Sequence, residues 1–99
     1  MIDRQSTRWP KTVGEAADMV IVHLSIHGQD IIRSIPREAL VQLHLGLGTY
    51  IRNRFGLNEG NRDLLASCGS PDMQPDEAST VVIEAVWEQL QGQAAGGPL

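Results

Sequence analysis

The chain has 99 residues, of which 41% are hydrophobic and 20% are charged, and its formal net charge is −4. A chain of this length can bury one compact core, which excludes a deep cleft between two domains, and no apolar run reaches the roughly 18 residues of a membrane span. Residues 63–99 hold six acidic and no basic residues, whereas residues 1–62 hold six acidic and eight basic ones, which argues against a general nucleic-acid binder.

The start of the chain and its single cysteine bear on where the protein resides. The segment MIDRQSTRWPK has no apolar run after a basic start, so it does not read as a secretory signal peptide. Cys68 is the one cysteine, which excludes an internal disulfide and fits a reducing compartment. We therefore expect a soluble, cytoplasmic protein.

An N-terminal arm is predicted over residues 1–11, because polar residues dominate there and a Trp-Pro pair interrupts any helix. A helix is predicted to follow, since Thr12 and Glu15 form a capping box in which side chains satisfy free backbone N–H groups. Gly28 is predicted to end this helix. Its core-facing residues recur at helical spacing and are Val13, Ala16, Ala17, Val20, Ile21 and Leu24.

A second long helix is predicted over residues 36–54, with Pro36 in its first turn. The segment QDIIRSI before it is too short to assign from its pattern. Val41 and Leu45 fall on a different side from the main apolar stripe, so the helix is apolar around much of its circumference and is expected to lie centrally. That main stripe consists of Leu40, Leu43, Leu47, Tyr50 and Ile51.

Two glycines, Gly46 and Gly48, lie inside this predicted helix, where each should cost about 0.5 to 1 kcal/mol relative to Ala. They form no phosphate-binding loop, because neither GxGxxG nor GxxxxGK[ST] is present and no strand precedes them. Either they let a neighbouring element approach closely, or they bare the backbone for a partner. We expect close packing at Gly46, which lies three residues from both Leu43 and Thr49, and leave Gly48 open.

The last part of the chain predicts a short helix with Asn61 as its N-cap and Gly69 as its stop, then a long helix, DEASTVVIEAVWEQLQ. The predicted apolar stripe of the long helix, widened by Ile83 and Trp87, consists of Ala78, Val82, Ala85, Val86 and Leu90. STVVIEAVW could form a strand, since it is rich in β-branched residues, but PDEAS is typical of a helix start and no partner strand is evident. The prediction is an all-α fold: a compact single-domain bundle of three longer helices plus one or two short ones. The helical domain covers residues 12–91 and a flexible tail covers residues 92–99.

A metal site is one interpretation of the histidines. His23 and His27 are four residues apart, which places both on one face of the predicted first helix, and His44 and Cys68 could complete a four-ligand set. The pattern lacks the Glu of HExxH and any paired-cysteine motif. The competing interpretation has His23 partly buried and His27 at a helix end, where a cation is favoured. A small metal- or ligand-binding domain is the alternative function.

The segment YIRNRF places Arg52 and Arg54 beside Tyr50, an arrangement that can bind single-stranded nucleic acid. The favoured interpretation is that both arginines complement the dipole of the central helix and pair with acids of the last helix. Few basic residues are available for phosphate contacts.

Catalysis is not expected. Ser25, Ser34, Ser67 and Cys68 lie in no recognisable nucleophile motif, and the i, i+4 pair Glu84 and Glu88 is expected on a solvated helix face. No cofactor is implied.

Four stretches carry a resemblance to a known family: WPKTVGEAADMVIVHLS, LHLGLGTYIRNRFGL, NRDLLASC and PDEASTVVIEAVWEQL. Over residues 9–90 the chain resembles a bacterial domain family of unknown function. Its central signature is Leu-His-aromatic-Gly-Leu-Gly-x-Tyr/Trp-Ile-Arg-Asn, from which this chain departs at Leu45. The resemblance implies no activity. It implies a small module with signature positions Leu43, His44, Gly46, Gly48, Tyr50, Ile51, Arg52, Asn53 and Asp76.

The expected function is a non-catalytic protein-binding module that presents an acidic helix and the glycine-rich helix surface to a macromolecular partner. A more specific form is an inhibitor from a phage or mobile element, of the anti-CRISPR type, that blocks a basic nucleic-acid-binding surface of a host complex. A protein partner is expected, direct nucleic-acid or membrane binding is not, and the oligomeric state stays open. The expected partner-binding residues are His44, Tyr50, Arg52, Asn53, Asp76, Glu77, Glu84 and Glu88.

Overall fold

The computed structural model describes residues 9–96, with side chains for residues 9–92, and within that range the chain forms five α-helices and no β-strand. A 3₁₀ segment and a π-helical segment lie between the second and third helices, and a 3₁₀ turn follows the third. This confirms the all-α class. None of the helices described is long and apolar enough to cross a membrane. The elements are α1 (Val13–His23), α2 (Ile26–Ser34), the 3₁₀ segment Arg37–Leu43, the π segment His44–Gly48, α3 (Thr49–Arg54), the 3₁₀ turn Leu57–Glu59, α4 (Arg62–Cys68) and α5 (Pro75–Gly96).

Helix α1 begins where the capping pattern predicts, because Thr12 Oγ1 accepts the Glu15 N–H at 3.1 Å. It ends before the predicted stop, and the prediction that Gly28 terminates it is wrong. Leu24 is extended, and the Ser25 hydroxyl then accepts the Gly28 N–H at 2.9 Å as the N-cap of a new helix. Serine is among the strongest N-cap residues, so it starts α2 within what reads as one continuous apolar pattern.

The predicted second long helix has about the predicted extent but not the predicted regularity. Residues 37–54, referred to below as the central run, pass from 3₁₀ to π to α geometry without leaving a helical path. A 3₁₀ segment is wound more tightly than an α-helix and a π segment more loosely, so the two deviations offset each other along the run. Apolar spacing alone does not distinguish this arrangement from a regular α-helix.

Helix α5 is the element on which the rest of the fold is assembled, since all the other helical elements described pack against it. Two ion pairs join α5 to the central run: Arg37 Nη2 lies 3.3 Å from Glu88 Oε2, and Arg52 Nε lies 3.5 Å from Asp76 Oδ1. Since the start of the run meets the later part of α5 and the end of the run meets its start, the two elements are antiparallel. Its buried face confirms most of the predicted stripe and consists of Ala78, Ser79, Val82, Ile83, Val86 and Leu90.

The end of the predicted arm that is described packs on the domain. The Trp9 indole covers Gly56, whose φ of +71° and lack of Cβ leave room for the ring. The buried Asn61 side chain donates to the Pro10 carbonyl at 3.0 Å and to the Phe55 carbonyl at 2.8 Å. Residues 9–10 are therefore part of the folded body, and residues 1–8 lie outside the described residues.

The predicted tail is corrected at its start, because α5 continues to Gly96 and residues 92–96 are helical. A single glycine at position 92 costs only about 1 kcal/mol in a helix, and the residues around it are good helix formers. Residues 97–99 of the predicted tail lie outside the described residues.

The two central glycines have different surroundings, and the expectation of close packing at Gly46 is wrong. Gly46 is exposed, and a Cβ added there would have no atom within 4 Å. Gly48 is buried, and a Cβ there would lie 3.0 Å from Arg52 Nη1 and 3.6 Å from Ser79 Oγ. The close approach therefore occurs at Gly48, because the change from 3₁₀ to π geometry alters which positions face α5.

Replacing each glycine by alanine should have opposite effects on the free energy of unfolding. Gly46→Ala should raise it by about 0.5 to 1 kcal/mol, because the methyl group enters open space and alanine restricts the unfolded chain. Gly48→Ala should lower it by about 1 to 3 kcal/mol, because the methyl group displaces the Arg52 guanidinium from Ser79. Urea denaturation of both variants measures the two effects.

The double variant Gly48→Ala with Arg52→Ala is the control for this contact. It removes the group that the new methyl would meet, so the combined loss of stability should be smaller than the sum of the two single losses. Strictly additive losses would show that the two residues do not crowd each other.

Candidate interaction surface

Arg52 links the central run to the start of α5. Its guanidinium donates to Ser79 Oγ and to Thr49 Oγ1, each at 3.0 Å, and its Nε lies 3.5 Å from Asp76 Oδ1. The Arg52 side chain is only 12% exposed, and the buried Ser79 hydroxyl donates in turn to the Asp76 carbonyl at 2.9 Å. Gly48 leaves the space that the guanidinium fills. Arg52 and Asp76 therefore make an internal contact.

This contact confirms, for Arg52, the interpretation that it pairs with an acid of the last helix. Tyr50 is also partly engaged inside the domain, because its ring packs edge-on against Phe55 with centroids 6.3 Å apart. Arg54 is exposed. The three residues of the nucleic-acid interpretation therefore do not form one open basic and aromatic surface.

The four residues of the metal interpretation are not brought together. His23 ends α1 and His27 lies in the first turn of α2, so the prediction that they share one helix face is wrong. His23 Nδ1 lies 3.0 Å from the Met19 carbonyl oxygen. Within residues 9–92, no three His, Cys, Asp or Glu side chains are grouped so that they could hold a metal ion.

Cys68 is half-buried at the end of α4, and its Sγ lies 3.6 Å from the Ala78 carbonyl oxygen. Burial raises the pKa of this thiol from 9.0 to about 11, because the charged thiolate is poorly solvated there. The thiolate is the form that attacks electrophiles and binds metals. Cys68 is therefore unsuited to either role near neutral pH.

Two aliphatic side chains of the central run point into solvent. The apolar pattern predicts a central helix that other elements surround, so this exposure differs from the prediction. Val41 is 72% exposed and Leu45 is 80% exposed. They are referred to below as the apolar pair. They lie four residues apart in the same run, and the exposed Gly46 directly follows Leu45. The run packs against α5 and leaves these two side chains uncovered.

One side of α5 carries three glutamates, the exposed Glu77 and Glu88 and the half-buried Glu84, which are referred to below as the acidic stripe. Intervals of seven and four residues place them on one helix face, opposite the buried Val82 and Val86. Within the described side chains, Glu88 pairs with Arg37, whereas Glu77 and Glu84 form no salt bridge.

The remaining predicted partner-binding residues, His44 and Asn53, lie in the middle and near the end of the central run. His44 is half-buried in the π segment. Asn53 is exposed in α3, and its Oδ1 accepts from Asn58 Nδ2 at 3.5 Å. Neither residue takes part in the Arg52 contact.

A shallow, open concavity of about 260 Å³ lies elsewhere, beside the docked arm. It is smaller than the roughly 300 to 1,000 Å³ of typical ligand sites. The sequence offers no sign of it, because it exists only once the indole has folded over Gly56. Its lining consists of Trp9, Lys11, Gly60, Asn61, Arg62 and Asp63.

A comparison with known protein families shows which family the chain belongs to. The sequence model of one family matches residues 9–90, which is most of the chain. The chain belongs to the family described as Domain of unknown function (DUF6794). No curated protein and no solved structure matches it. The predicted resemblance to a domain of unknown function is confirmed over residues 9–90. The Arg52 contact, the apolar pair and the acidic stripe all lie within the DUF6794 domain.

If Arg52 is held inside the DUF6794 domain, its removal should cost stability. Arg52→Ala should lower the free energy of unfolding by about 1.5 to 3 kcal/mol, because it removes a charged hydrogen-bond partner from the buried Ser79 hydroxyl. Asp76→Asn should cost at most about 1 kcal/mol, because that carboxylate is largely exposed to water. Thermal and urea denaturation measure both losses. Equal stability of Arg52→Ala and the native chain would refute the internal role.

The thiol of Cys68 should react slowly with iodoacetamide in the folded protein. Since its pKa is raised from 9.0 to about 11, the native thiolate fraction at pH 8 is lower than that of the unfolded chain by roughly two orders of magnitude. The native reaction rate should keep rising as the pH approaches 11. Mass spectrometry of alkylated protein, with and without urea, provides the measurement, and rapid native alkylation at pH 8 would contradict it.

Proposed function

We propose that this DUF6794 domain is a non-catalytic protein-binding module that contacts its partner through the apolar pair. The observation that carries the proposal is the exposure of Val41 and Leu45, which lie four residues apart in the central run. Exposed aliphatic side chains that adjoin one another gain free energy when a second protein covers them. A single scattered apolar residue would carry no such argument.

The surroundings of the apolar pair suit a protein partner. Gly46 has no atom within 4 Å of the position of a Cβ, so a partner chain can approach the backbone there. His44 lies between Val41 and Leu45 in the sequence and Asn53 lies farther along the run, and their polar groups can form hydrogen bonds at the rim of an interface. The Arg52 side chain is 12% exposed and supports the domain from within, whereas the Asp76 carboxylate is 69% exposed.

The non-catalytic character is supported by the chemistry of the described residues. Burial raises the Cys68 pKa, which disfavours its use as a nucleophile. The concavity beside Trp9 is small and open, and it lies away from the apolar pair. The alternative of a metal site built from His23, His27, His44 and Cys68 lacks support, because within residues 9–92 no three His, Cys, Asp or Glu side chains are grouped as ligands.

A more specific form of the proposal is an inhibitor carried by a phage or mobile element, of the anti-CRISPR type, that covers a basic nucleic-acid-binding surface of a host complex. Its support is the small size of the chain and the concentration of six acidic and no basic residues in residues 63–99. Under this form the domain acts by occupying a surface, with no chemical step.

The proposal is tested by affinity capture from a lysate of the source organism. Three baits are compared: the native chain, the double variant Val41→Asp with Leu45→Asp, and the control Val22→Asp, whose native side chain is 79% exposed on α1. The native and control baits should retain the same partner, and the double variant should lose at least about nine-tenths of it, because two buried charges oppose association.

Circular dichroism and melting temperature confirm that all three baits are folded. A partner retained equally by the double variant would show that the apolar pair is not the contact. Capture of nothing by the native bait would contradict the proposed function itself.

A further inference from the structure

We propose that the Trp87 ring, together with the carboxylates of Glu84 and Glu88, binds an arginine side chain of a partner protein. These three side chains are referred to below as the Trp87 site. In the free chain Arg37 occupies the site. The inference rests on the proposed protein-binding function and adds a contact on α5 that does not depend on the apolar pair.

The Trp87 ring is held in place by its own hydrogen bond. Its Nε1 donates to the Ile35 carbonyl oxygen at 2.8 Å, and the partly buried ring packs against the core. Gln91, one turn later on α5, donates through Nε2 to the Arg33 carbonyl oxygen, also at 2.8 Å. The two bonds fix the connection between α2 and the central run against α5, so the ring has a defined position before any partner arrives.

Arg37 follows this connection and reaches back over the ring. Its Cζ lies 5.8 Å from the ring centroid, which is within the range of a cation–π contact, and its Nη2 lies 3.3 Å from Glu88 Oε2. Arginine suits such a position because its planar group stacks on an aromatic face and donates hydrogen bonds from its edge. The chain itself therefore shows which chemical group the ring and the carboxylate accommodate.

The contact that Arg37 makes is open to exchange. The side chains of Arg37 and Glu88 are each 56% exposed, and among the described side chains Glu88 is the one hydrogen-bond acceptor of this guanidinium. Exposed ion pairs and exposed cation–π contacts are weak, because water competes for both groups. Arg52 is the opposite case, since it is only 12% exposed and donates to two hydroxyl groups. An incoming guanidinium can displace Arg37 but not Arg52.

Glu84 supplies a carboxylate that Arg37 does not use. Helix α5 is α-helical throughout this stretch, so intervals of three and four residues place Trp87 and Glu88 next to Glu84 on its surface. Within residues 9–92, Glu84 forms no ion pair. An arginine from a partner therefore meets the ring and two carboxylates, whereas Arg37 is paired with one carboxylate.

Charge determines which kind of group can occupy the Trp87 site. Residues 63–99 contain six acidic residues and no Lys or Arg, so this part of the chain attracts cations and repels the phosphates of a nucleic acid. A metal ion lacks ligands here, because no three His, Cys, Asp or Glu side chains are grouped as ligands within residues 9–92. A guanidinium matches both the ring and the carboxylates.

The test uses a blocked peptide of alternating glycine and arginine, and the same peptide with citrulline in place of every arginine. Citrulline keeps the shape of the side chain and removes its charge. Fluorescence of Trp87 reports binding in a Trp9→Phe variant, which leaves one tryptophan of the two, and isothermal titration of the native chain measures binding independently. The arginine peptide should bind saturably and change the Trp87 emission, and the citrulline peptide should do neither.

Removal of Arg37 should strengthen binding of the arginine peptide. Arg37→Gln empties the Trp87 site, so affinity should rise at least about threefold, because every molecule is then competent to bind. Arg54→Gln is the matched control, since it removes the same charge from an exposed position of α3. The control should raise affinity less than about 1.5-fold, because screening weakens the effect of a distant charge.

Removal of the two carboxylates should have the opposite effect. Glu84→Gln with Glu88→Gln should weaken peptide binding at least about fivefold. Asp18→Asn with Asp63→Asn removes the same charge from exposed positions on α1 and α4 and should weaken it less than about twofold. Circular dichroism and melting temperature verify that each variant is folded.

Three results would overturn this inference: no binding of the arginine peptide to the Arg37→Gln variant, equal gains from the two arginine substitutions, or equal losses from the two acidic pairs. Self-association of the Arg37→Gln variant in sedimentation experiments would identify a second copy of this chain as the occupant and overturn the assignment to another protein. A lysate partner that depends on the apolar pair, together with failure of the arginine peptide, would leave the proposed function standing and remove only the Trp87 site.

Discussion

The fold depends on the burial of one face of α5. Every other helical element described packs on that helix, and its Val82, Val86 and Leu90 belong to the single apolar core cluster. A domain of about one hundred residues can bury only a limited apolar area. One long helix that contacts all the other elements places its apolar face in a single shared core. The position of the central run, and with it the apolar pair, follows from this arrangement.

The Arg52 contact explains why glycine, arginine and an acidic helix start occur together in this sequence. The buried Ser79 hydroxyl needs a donor, the Arg52 guanidinium supplies it, and Gly48 leaves room for the guanidinium between the two elements. A charged side chain this close to a core is tolerated because its hydrogen bonds are satisfied. Gly48, Arg52 and Asp76 are signature positions of the family resemblance, and each of them thus has a structural role.

Local signals in the sequence predicted the parts of the fold that depend on local chemistry. The caps at Thr12 and Asn61 and the apolar stripes of α1 and α5 are properties of neighbouring residues, and the structure confirms them. Ser25 was missed as a helix start because the apolar spacing continues across it. The close approach is predicted at Gly46 but occurs at Gly48, because 3₁₀ and π windings change which side chains face the core. The spacing of apolar residues does not show which winding the helix adopts.

The candidate surface was predicted in part. The acidic stripe follows from helical spacing within α5, and its glutamates were identified from the sequence. The apolar pair was not, since Val41 and Leu45 read as core residues of a helix surrounded by others. Which side of a helix remains uncovered is decided by the number and placement of the other elements, which is a property of the whole chain.

The Asn61 side chain has a consequence for how the domain folds. One amide binds carbonyl groups of Pro10 and Phe55, and the first of these partners is 51 residues away in sequence. Closing so long a loop costs chain entropy that the short-range bonds of a helix do not incur, so we expect this corner to form after the local helical turns. It joins the beginning of the described chain to its middle, and we expect the two to lose their structure together when the protein unfolds.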